Sequence, residues 1–545
     1  MVGVGLCPAP SVRIGDRVPF APRRPVKDPF MPLADRLRQL PAAQLLGMRR
    51  GIEKESLRTQ ANGSLSRTPH PAALGSALTH GRITTDYSES QLELITGVHG
   101  SVQACLDELT HTHQFVYRTL AAKGAEQLWV GSMPCGLPHD EHIPIGSYGS
   151  SHIGRAKSVY RVGLGNRYGR RMQTISGIHY NWSMPGLGND DYFALIRNFR
   201  RHAFLLLWLF GASPAVCSNF VAGREHSLQQ LSQYTLHMPH ATSLRMGRLG
   251  YQSDAQSTLA VSYNNLDTYS ASLQAALTQP YAPYEAIGIK NLGGEYNQLA
   301  TTLLQIENEF YGTIRPKRVI HSGERPLHAL RERGVEYVEV RCMDLDPFVP
   351  VGITAQTMRF LDIFLLHCLL HSSPPDSLQE MDALARNQHR TAAFGREPGL
   401  KLERDGQEVL LTDWAAELLA ECRPLAAALD AVHGGSDYAE ALAAACAAAA
   451  APESLPSARV LAAMQHDHGS SYTAFVRAQS EATRDHLLAL PWSAAQQAEF
   501  DAEAQASLAK RRAIEAATTG DFESWRVAYL APERLLVEQA MVVPG

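Results

Sequence analysis

Four common signatures are missing from this chain of 545 residues. None of its eight cysteines (Cys7, Cys105, Cys135, Cys217, Cys342, Cys368, Cys422, Cys446) belongs to a C-x-x-C pair. Neither a zinc site nor a disulfide framework is indicated, and they read as reduced thiols of a cytoplasmic protein. No apolar run can span a bilayer: the longest, 204–210, ends at Pro214 and reads as a buried helix, which argues against a membrane partner. A formal net charge of -4 gives no basic excess, and with it no case for a nucleic-acid partner. There is no G-x-x-x-x-G-K-[ST] and no strand-linked G-x-G-x-x-G. A nucleotide, if bound, is therefore held by neither a P-loop nor a Rossmann turn.

The remaining composition, 45% hydrophobic and 19% charged, is that of a globular protein with a substantial core. Residues 1–40 form a Pro/Arg-rich extension, expected to be loosely attached and too short in its apolar start for a secretory signal. Apolar periodicity predicts helices at 33–46, 102–123, 196–210 and 358–370 in a region running from 41 to 400. Beyond 401 the chain turns alanine-rich, and helices over 439–451 and 493–517 suggest a layer packed on the preceding core.

The chemistry concentrates in Gly51-Ile-Glu-Lys-Glu-Ser-Leu-Arg58, read as a strand. Side chains alternate along a strand, so Glu53, Glu55 and Leu57 share one face while Ile52, Lys54 and Ser56 take the other. Carboxylates two residues apart lie roughly 7 Å from each other and can serve neighbouring metal ions about 3.5–4 Å apart. The bland alternative is a solvated edge strand whose acids are matched by Lys54 and Arg58. The stretch 84–96 also reads as extended, with Gln91, Glu93 and Ile95 on one face and Asp86 in its polar approach. A third strand at 335–341 puts Glu339 and Arg341 on one face, a metal-binding carboxylate beside an arginine suited to a phosphate.

A strand across Met172–Trp182 aligns Gln173, Ile175, Gly177, His179 and Asn181, with Ile178, Tyr180 and Trp182 facing the core. Gly177 would leave room for a ligand beside His179. A short strand is expected at 128–135. Arg245 and Tyr251 read as loop residues, and Tyr311, Arg315, Lys317 and Arg318 as either a solvated basic turn or an anion site.

Taken in order, the motifs at 51–58, 70–80, 83–86, 172–181, 211–214, 241–245, 305–308, 314–318 and 337–341 resemble bacterial glutamate-cysteine ligase, the gamma-glutamylcysteine synthetase of proteobacterial type. The likeness covers roughly 45–400. It implies an α+β fold, with an antiparallel sheet curved into a cradle of the glutamine synthetase-like type. By motif position it implies Glu53, Glu55, Asp86, Glu93, His179 and Glu339 as ligands of Mg2+, or alternatively Mn2+. Arg341 and Arg161 would face the transferred phosphoryl group, with Lys317 and Arg315 beside Arg341 at the ATP phosphates. Gln173 and Arg245 fall among the amino-acid substrates, Arg245 with a planar fork fitted to a carboxylate. Tyr160, Leu164, Tyr251 and Tyr311 fall at the cysteine pocket, as does Tyr87, where the family's pattern also admits Phe.

The reaction implied is ATP-dependent ligation of L-glutamate to L-cysteine through gamma-glutamyl phosphate, opening glutathione biosynthesis, in a cytoplasmic monomer under glutathione feedback. The alternatives are a phosphotransferase of guanidino-kinase type and a catalytically silent protein that binds amino acids or metal. ADP release dependent on cysteine separates the three.

Overall fold

The computed structural model describes residues 31–537, apart from 123, 125, 251–254, 256–258 and 322. Tyr251 and nearly all of the N-terminal extension therefore lie outside the described residues. The strands are β1 (Arg49–Thr59), β2 (Ile83–Thr85), β3 (Gln91–Ile95), β4 (Gln127–Leu128), β5 (Ile178–Ser183), β6 (Ala215–Cys217), β7 (Gln229–Ser232), β8 (Thr235–His237), β9 (Ile314–Lys317), β10 (Tyr337–Met343), β11 (Lys401–Arg404) and β12 (Gln407–Leu410). Seven of them make one sheet, ordered β2-β3-β1-β5-β10-β9 with β4 beside the end of β1, and every pairing is antiparallel. The strands β6, β8 and β7 form a second sheet, and β11 and β12 a hairpin.

The acidic strand β1 is thus central, flanked by β3 and β5, which disposes of the edge-strand alternative. Its alternation holds. Ile52, Lys54 and Ser56 share the back of the sheet with Leu92, Leu94, Ile178, Tyr180, Trp182, Val338 and Val340, all buried. Helices Val102–Ala121, Asn189–Phe210 and Ala355–Leu370 supply the apolar surface against this layer. Each fully buried aliphatic or aromatic side chain there is worth about 1.5–3 kcal/mol. Two of these helices start on side-chain caps, Ser101 accepting from Ala104 N and Thr354 from Thr357 N. A buried ion pair, Arg50 to Asp362 at 2.9 Å, ties β1 to the third helix, and Tyr180 donates to the same carboxylate at 2.8 Å.

Several expectations are corrected. The stretch 84–96 is not one strand but part of a hairpin, closed where Asp86 N donates to Gln91 O at 3.0 Å. The strand expected from Met172 begins only at Ile178. Before it lies a 3-10 turn, Met172–Thr174, and Ser176 N bonds Ser132 O instead of a neighbouring strand. Of the run 128–135 only Leu128 belongs to a strand; Trp129 turns back, its Nε1 donating to Met133 O. Pro41 splits the first helix into Leu33–Gln39 and Ala42–Leu46. The cysteines are not all reduced: Cys135 and Cys217, 82 residues apart, are disulfide-bonded with Cα atoms 5.6 Å apart. Linear spacing held no hint of a pair that only the tertiary fold brings together.

After β12 the chain is helical to Leu535. This layer docks on the rest through Phe500, stacked on Phe115 at 4.9 Å, and Tyr472, whose hydroxyl donates to Met133 O.

Candidate active site

The front of the sheet carries the acids. Register sets Glu55 opposite Glu93, Glu53 opposite His179, and Glu339 opposite both Asn181 and Arg315. Residues from five strands therefore converge by alternation alone. Between Val340 and Met343 the pairing of β10 with β5 slips by one residue, a bulge that begins at Arg341. Arg341 N leaves β5 and donates to Thr313 O.

The polar contacts form one network. Glu53 Oε2 lies 3.2 Å from His179 Nδ1, and Glu53 Oε1 accepts from Asn181 Nδ2 at 2.9 Å. Glu55 Oε2 accepts from Gly177 N at 2.7 Å, while its Oε1 is 3.7 Å from His179 Nε2. Glu339 Oε1 is approached by Arg341 Nη1 at 3.1 Å, Lys317 Nζ at 3.4 Å and His179 Nδ1 at 3.7 Å. Its other oxygen is buried with no hydrogen-bond partner among the described residues.

Electrostatics divides these acids into two classes. Burial pushes Glu55 up to about 8, reinforced by Asp86 and opposed by Arg245 and Arg341. Burial, then Glu53, Asp86 and Glu55, hold Glu93 well above the usual carboxylate range. Burial also raises Glu339, but Lys317, Arg341 and His179 outweigh it and hold it well below that range. Glu53 ends lowered in the same way, burial being overcome chiefly by the hydrogen bond with His179. His179 is driven down by burial and then by Arg341, which leaves a neutral imidazole with a lone pair to offer.

This donor set fits a hard divalent cation. Ligand-capable atoms of Glu53, Glu93 and His179 lie within 4.8 Å of one another. Carboxylate oxygens with one imidazole suit Mg2+ or Mn2+, and a cation would also relieve the mutual repulsion that raises Glu55 and Glu93. The partnerless Glu339 Oε2 offers a further oxygen.

Every described candidate from the sequence lines one cavity of about 620 Å³: the five acids and His179, Arg341, Arg161, Lys317, Arg315, Gln173, Arg245, Tyr160, Leu164, Tyr311 and Tyr87. Arg161, on helix His152–Tyr168, donates to the carbonyl of Asp86 and lies over the Tyr148 ring, 4.6 Å from its centroid. Gln173 Nε2 donates to Tyr311 Oη at 2.9 Å. The hydroxyl of Tyr87 is buried without a hydrogen-bond partner among the described residues. Arg245 comes from a 3-10 turn, Leu244–Met246, and its Nη2 donates to Arg341 O at 2.8 Å. The space expected beside Gly177 is occupied by this guanidinium, not left open for a ligand. Arg318 instead turns toward Glu336 and Arg333 O.

Three contributors were not assigned from sequence. Asn181 fixes Glu53, and its place on the face of His179 was signal enough to find it. Asp344 lies 3.7 Å from Arg245 and accepts from Ser213 and Ser243, contacts that no local pattern announces. Lys157 lines the cavity one helical turn from Arg161.

Comparison with known proteins extends the picture. Residues 35–391 match the family model described as glutamate-cysteine ligase. A protein of that name from Azotobacter vinelandii is 50% identical over 502 residues, covering 88% of this chain and 94% of its own. Its namesake from Alcanivorax borkumensis is 46% identical over 510 residues, covering 90% and 96%. A crystal structure of glutamate-cysteine ligase from Francisella tularensis in complex with AMP superposes with a TM-score of 0.85 at 35% identity, covering 90% of this chain and 98% of that one. The fold also recurs, with a TM-score of 0.66 at 23% identity, in a bifunctional glutathione synthetase from Pasteurella multocida; the match covers 86% of this chain and 57% of that one.

Proposed function

The chain belongs to the glutamate-cysteine ligase family, and we propose that the acid face of its central sheet carries the family's ATP-dependent ligation. The protein is an enzyme that joins L-glutamate to L-cysteine, the first step of glutathione synthesis, with ATP as co-substrate. The observation that carries the assignment of residues is the meeting, in one cavity, of converging carboxylates with Arg341, Lys317 and Arg315.

The glutamate side-chain carboxylate attacks the gamma-phosphorus of ATP, ADP leaves, and the acyl phosphate is then attacked by the cysteine amine, expelling phosphate as the amine loses its proton. Glu53, Glu55, Asp86, Glu93, His179 and Glu339 would hold Mg2+, which would supply charge neutralisation between triphosphate and carboxylate. Arg341 sits where it can follow charge on the phosphoryl group in transit, with Arg161 as a second cation at the rim. Lys317 and Arg315 hold the remaining phosphate oxygens. Arg245, fixed by Asp344 and the backbone of Arg341, presents its fork to a substrate carboxylate, and Gln173 with Tyr311 orients the amino-acid backbone. Tyr160, Leu164 and Tyr87 shape the pocket for the small cysteine side chain, to which the family resemblance also assigns Tyr251.

The same reading extends to the fold and its setting. The acid-lined sheet is of the glutamine synthetase-like cradle type, 41–400 is the catalytic unit, and 401–545 its helical support. The enzyme works as a cytoplasmic monomer; among the described residues no helix is long and apolar enough to cross a membrane. Glutathione, which repeats the gamma-glutamylcysteine unit, competes for the amino-acid pockets as a feedback inhibitor.

The test is ADP release by purified protein given ATP, Mg2+, L-glutamate and L-cysteine, with each omitted in turn. Turnover that needs all four and yields gamma-glutamylcysteine supports the reading. Full-rate ADP release without cysteine would overturn it.

A further inference from the structure

Outside the set of residues on the acid face, four ligand-bearing side chains gather where three helices meet. His202 lies on Asn189–Phe210, His367 near the end of Ala355–Leu370, His371 at that helix's C-cap, and Glu421 closes Leu411–Glu421. The imidazole rings stack around one point, with centroids 5.5 Å apart for His202 and His367, 5.3 Å for His367 and His371, and 5.9 Å for His202 and His371. Glu421 Oε2 lies 2.7 Å from His367 Nε2 and 3.9 Å from His371 Nε2.

From these contacts we propose that His367, His371 and Glu421 form a second metal site, for a first-row divalent cation of the Zn2+ class, clamping the C-terminal helices to the catalytic core. Ligand-capable atoms of the three lie within 4.8 Å of one another. Tetrahedral zinc with bonds of about 2.0–2.1 Å needs its ligand atoms about 3.3 Å apart. An ion would therefore open the 2.7 Å contact and draw in the 3.9 Å one by about half an ångström each, within the reach of side-chain rotation.

The surroundings favour this chemistry. His371 Nδ1 is 3.1 Å from Ser372 O, the backbone contact that fixes a tautomer with Nε2 free to ligate. Both His371 and Glu421 terminate helices, whose carbonyl ends attract a cation. Their side chains are 39% and 44% exposed, giving an entry path and room for a water as fourth ligand. Behind them His202 and His367 are buried, each with an Nδ1 that has no partner among the described residues. Of the cations nearby, Arg404 is engaged by Glu417, Arg201 by Glu380, and Arg36 donates to Leu370 O. Two imidazoles and a single carboxylate are a borderline-soft set, distinct from the oxygen-rich acid face, and select zinc over magnesium.

The test titrates Zn2+ into full-length protein saturated with Mg2+, by calorimetry, with Glu53→Gln as a background in which the acid face is impaired. Co2+ provides an optical probe, since tetrahedral cobalt absorbs strongly in the visible. The expected result is one Zn2+ per chain that Mg2+ does not displace and Glu53→Gln does not remove. His371→Ala and Glu421→Gln, both at exposed positions, should weaken it at least about tenfold and abolish the cobalt band, while His371→Ala keeps wild-type ADP release and so reports an intact fold. Equal zinc affinity in wild type and both variants, or no zinc retained in the presence of Mg2+, would overturn the proposal.

Discussion

The guanidinium of Arg245 lies directly beneath Gly177: a β-carbon at residue 177 would come within 2.1 Å of its Nη2. Glycine on this strand approach therefore serves another side chain, not a ligand. Gly177→Ala should push Arg245 out of line with its substrate carboxylate. We expect KM for one amino acid to rise about tenfold, equivalent to about 1.4 kcal/mol, with a stability loss of about 1–3 kcal/mol from overpacking. Steady-state kinetics with each amino acid varied separately, alongside thermal unfolding, checks this; unchanged KM values would mean that Arg245 does not contact substrate.

Arg341→Ala should leave a folded protein, because Lys317 still neutralises Glu339. Turnover should drop by roughly 10³, the low end for an arginine at a phosphoryl group. Single-turnover ADP formation distinguishes a chemical defect from slow product release, and normal rates would remove Arg341 from the mechanism.

Glu53→Gln keeps the shape of the side chain and its contact with Asn181 but removes a charge beside His179. The Mg2+ concentration for half-maximal rate should rise at least about tenfold. An unchanged Mg2+ titration would leave Glu53 as a structural acid.

Proton release should accompany Mg2+ binding. Without a cation, burial and then Asp86 raise Glu55 from 4.5 to about 8, and Glu93 is also raised. A raised acid contributes its stability in full below pH 4.5 and loses it as pH climbs through about 8. In metal-free protein the contribution of these two acids to thermal stability should thus fall between those limits, while apparent Mg2+ affinity strengthens over the same span as the competing proton leaves. Calorimetry in two buffers of different ionisation heat counts the protons, and zero release at neutral pH would refute the assignment of Glu55 and Glu93 as ligands.

How much of this was legible in the sequence follows from the range of the forces involved. Period-two alternation is a local steric fact, so Glu53 and Glu55 on one face and Tyr180 and Trp182 on the other could be read directly. The pairing of Glu55 with Glu93 depended on register, which a strongly apolar back face specifies almost as firmly. Reading failed where backbone partners come from loops: the turn at Met172–Thr174 looked extended because its residues suit either state, and only the bond from Ser176 N to Ser132 O decides. Asp344, the Cys135–Cys217 bond and the histidines near Glu421 share the same reason for being hidden. Each meets partners across long separations, brought together by packing that no window of sequence contains.

The strand order has a consequence for biosynthesis. Strand β1 must wait for β5 and then β10, so Glu53 and Glu55 leave the ribosome long before His179, Glu339 and Arg341 exist. At about 5–20 residues per second the gap between the end of β1 and the end of β10 lasts about 15–60 s. In the part of that interval before β5 is made, β1 keeps one open edge, and the charges of Glu53, Lys54 and Glu55 along it discourage pairing with other nascent chains. The same carboxylates proposed to hold a metal would thus first act as guards against aggregation.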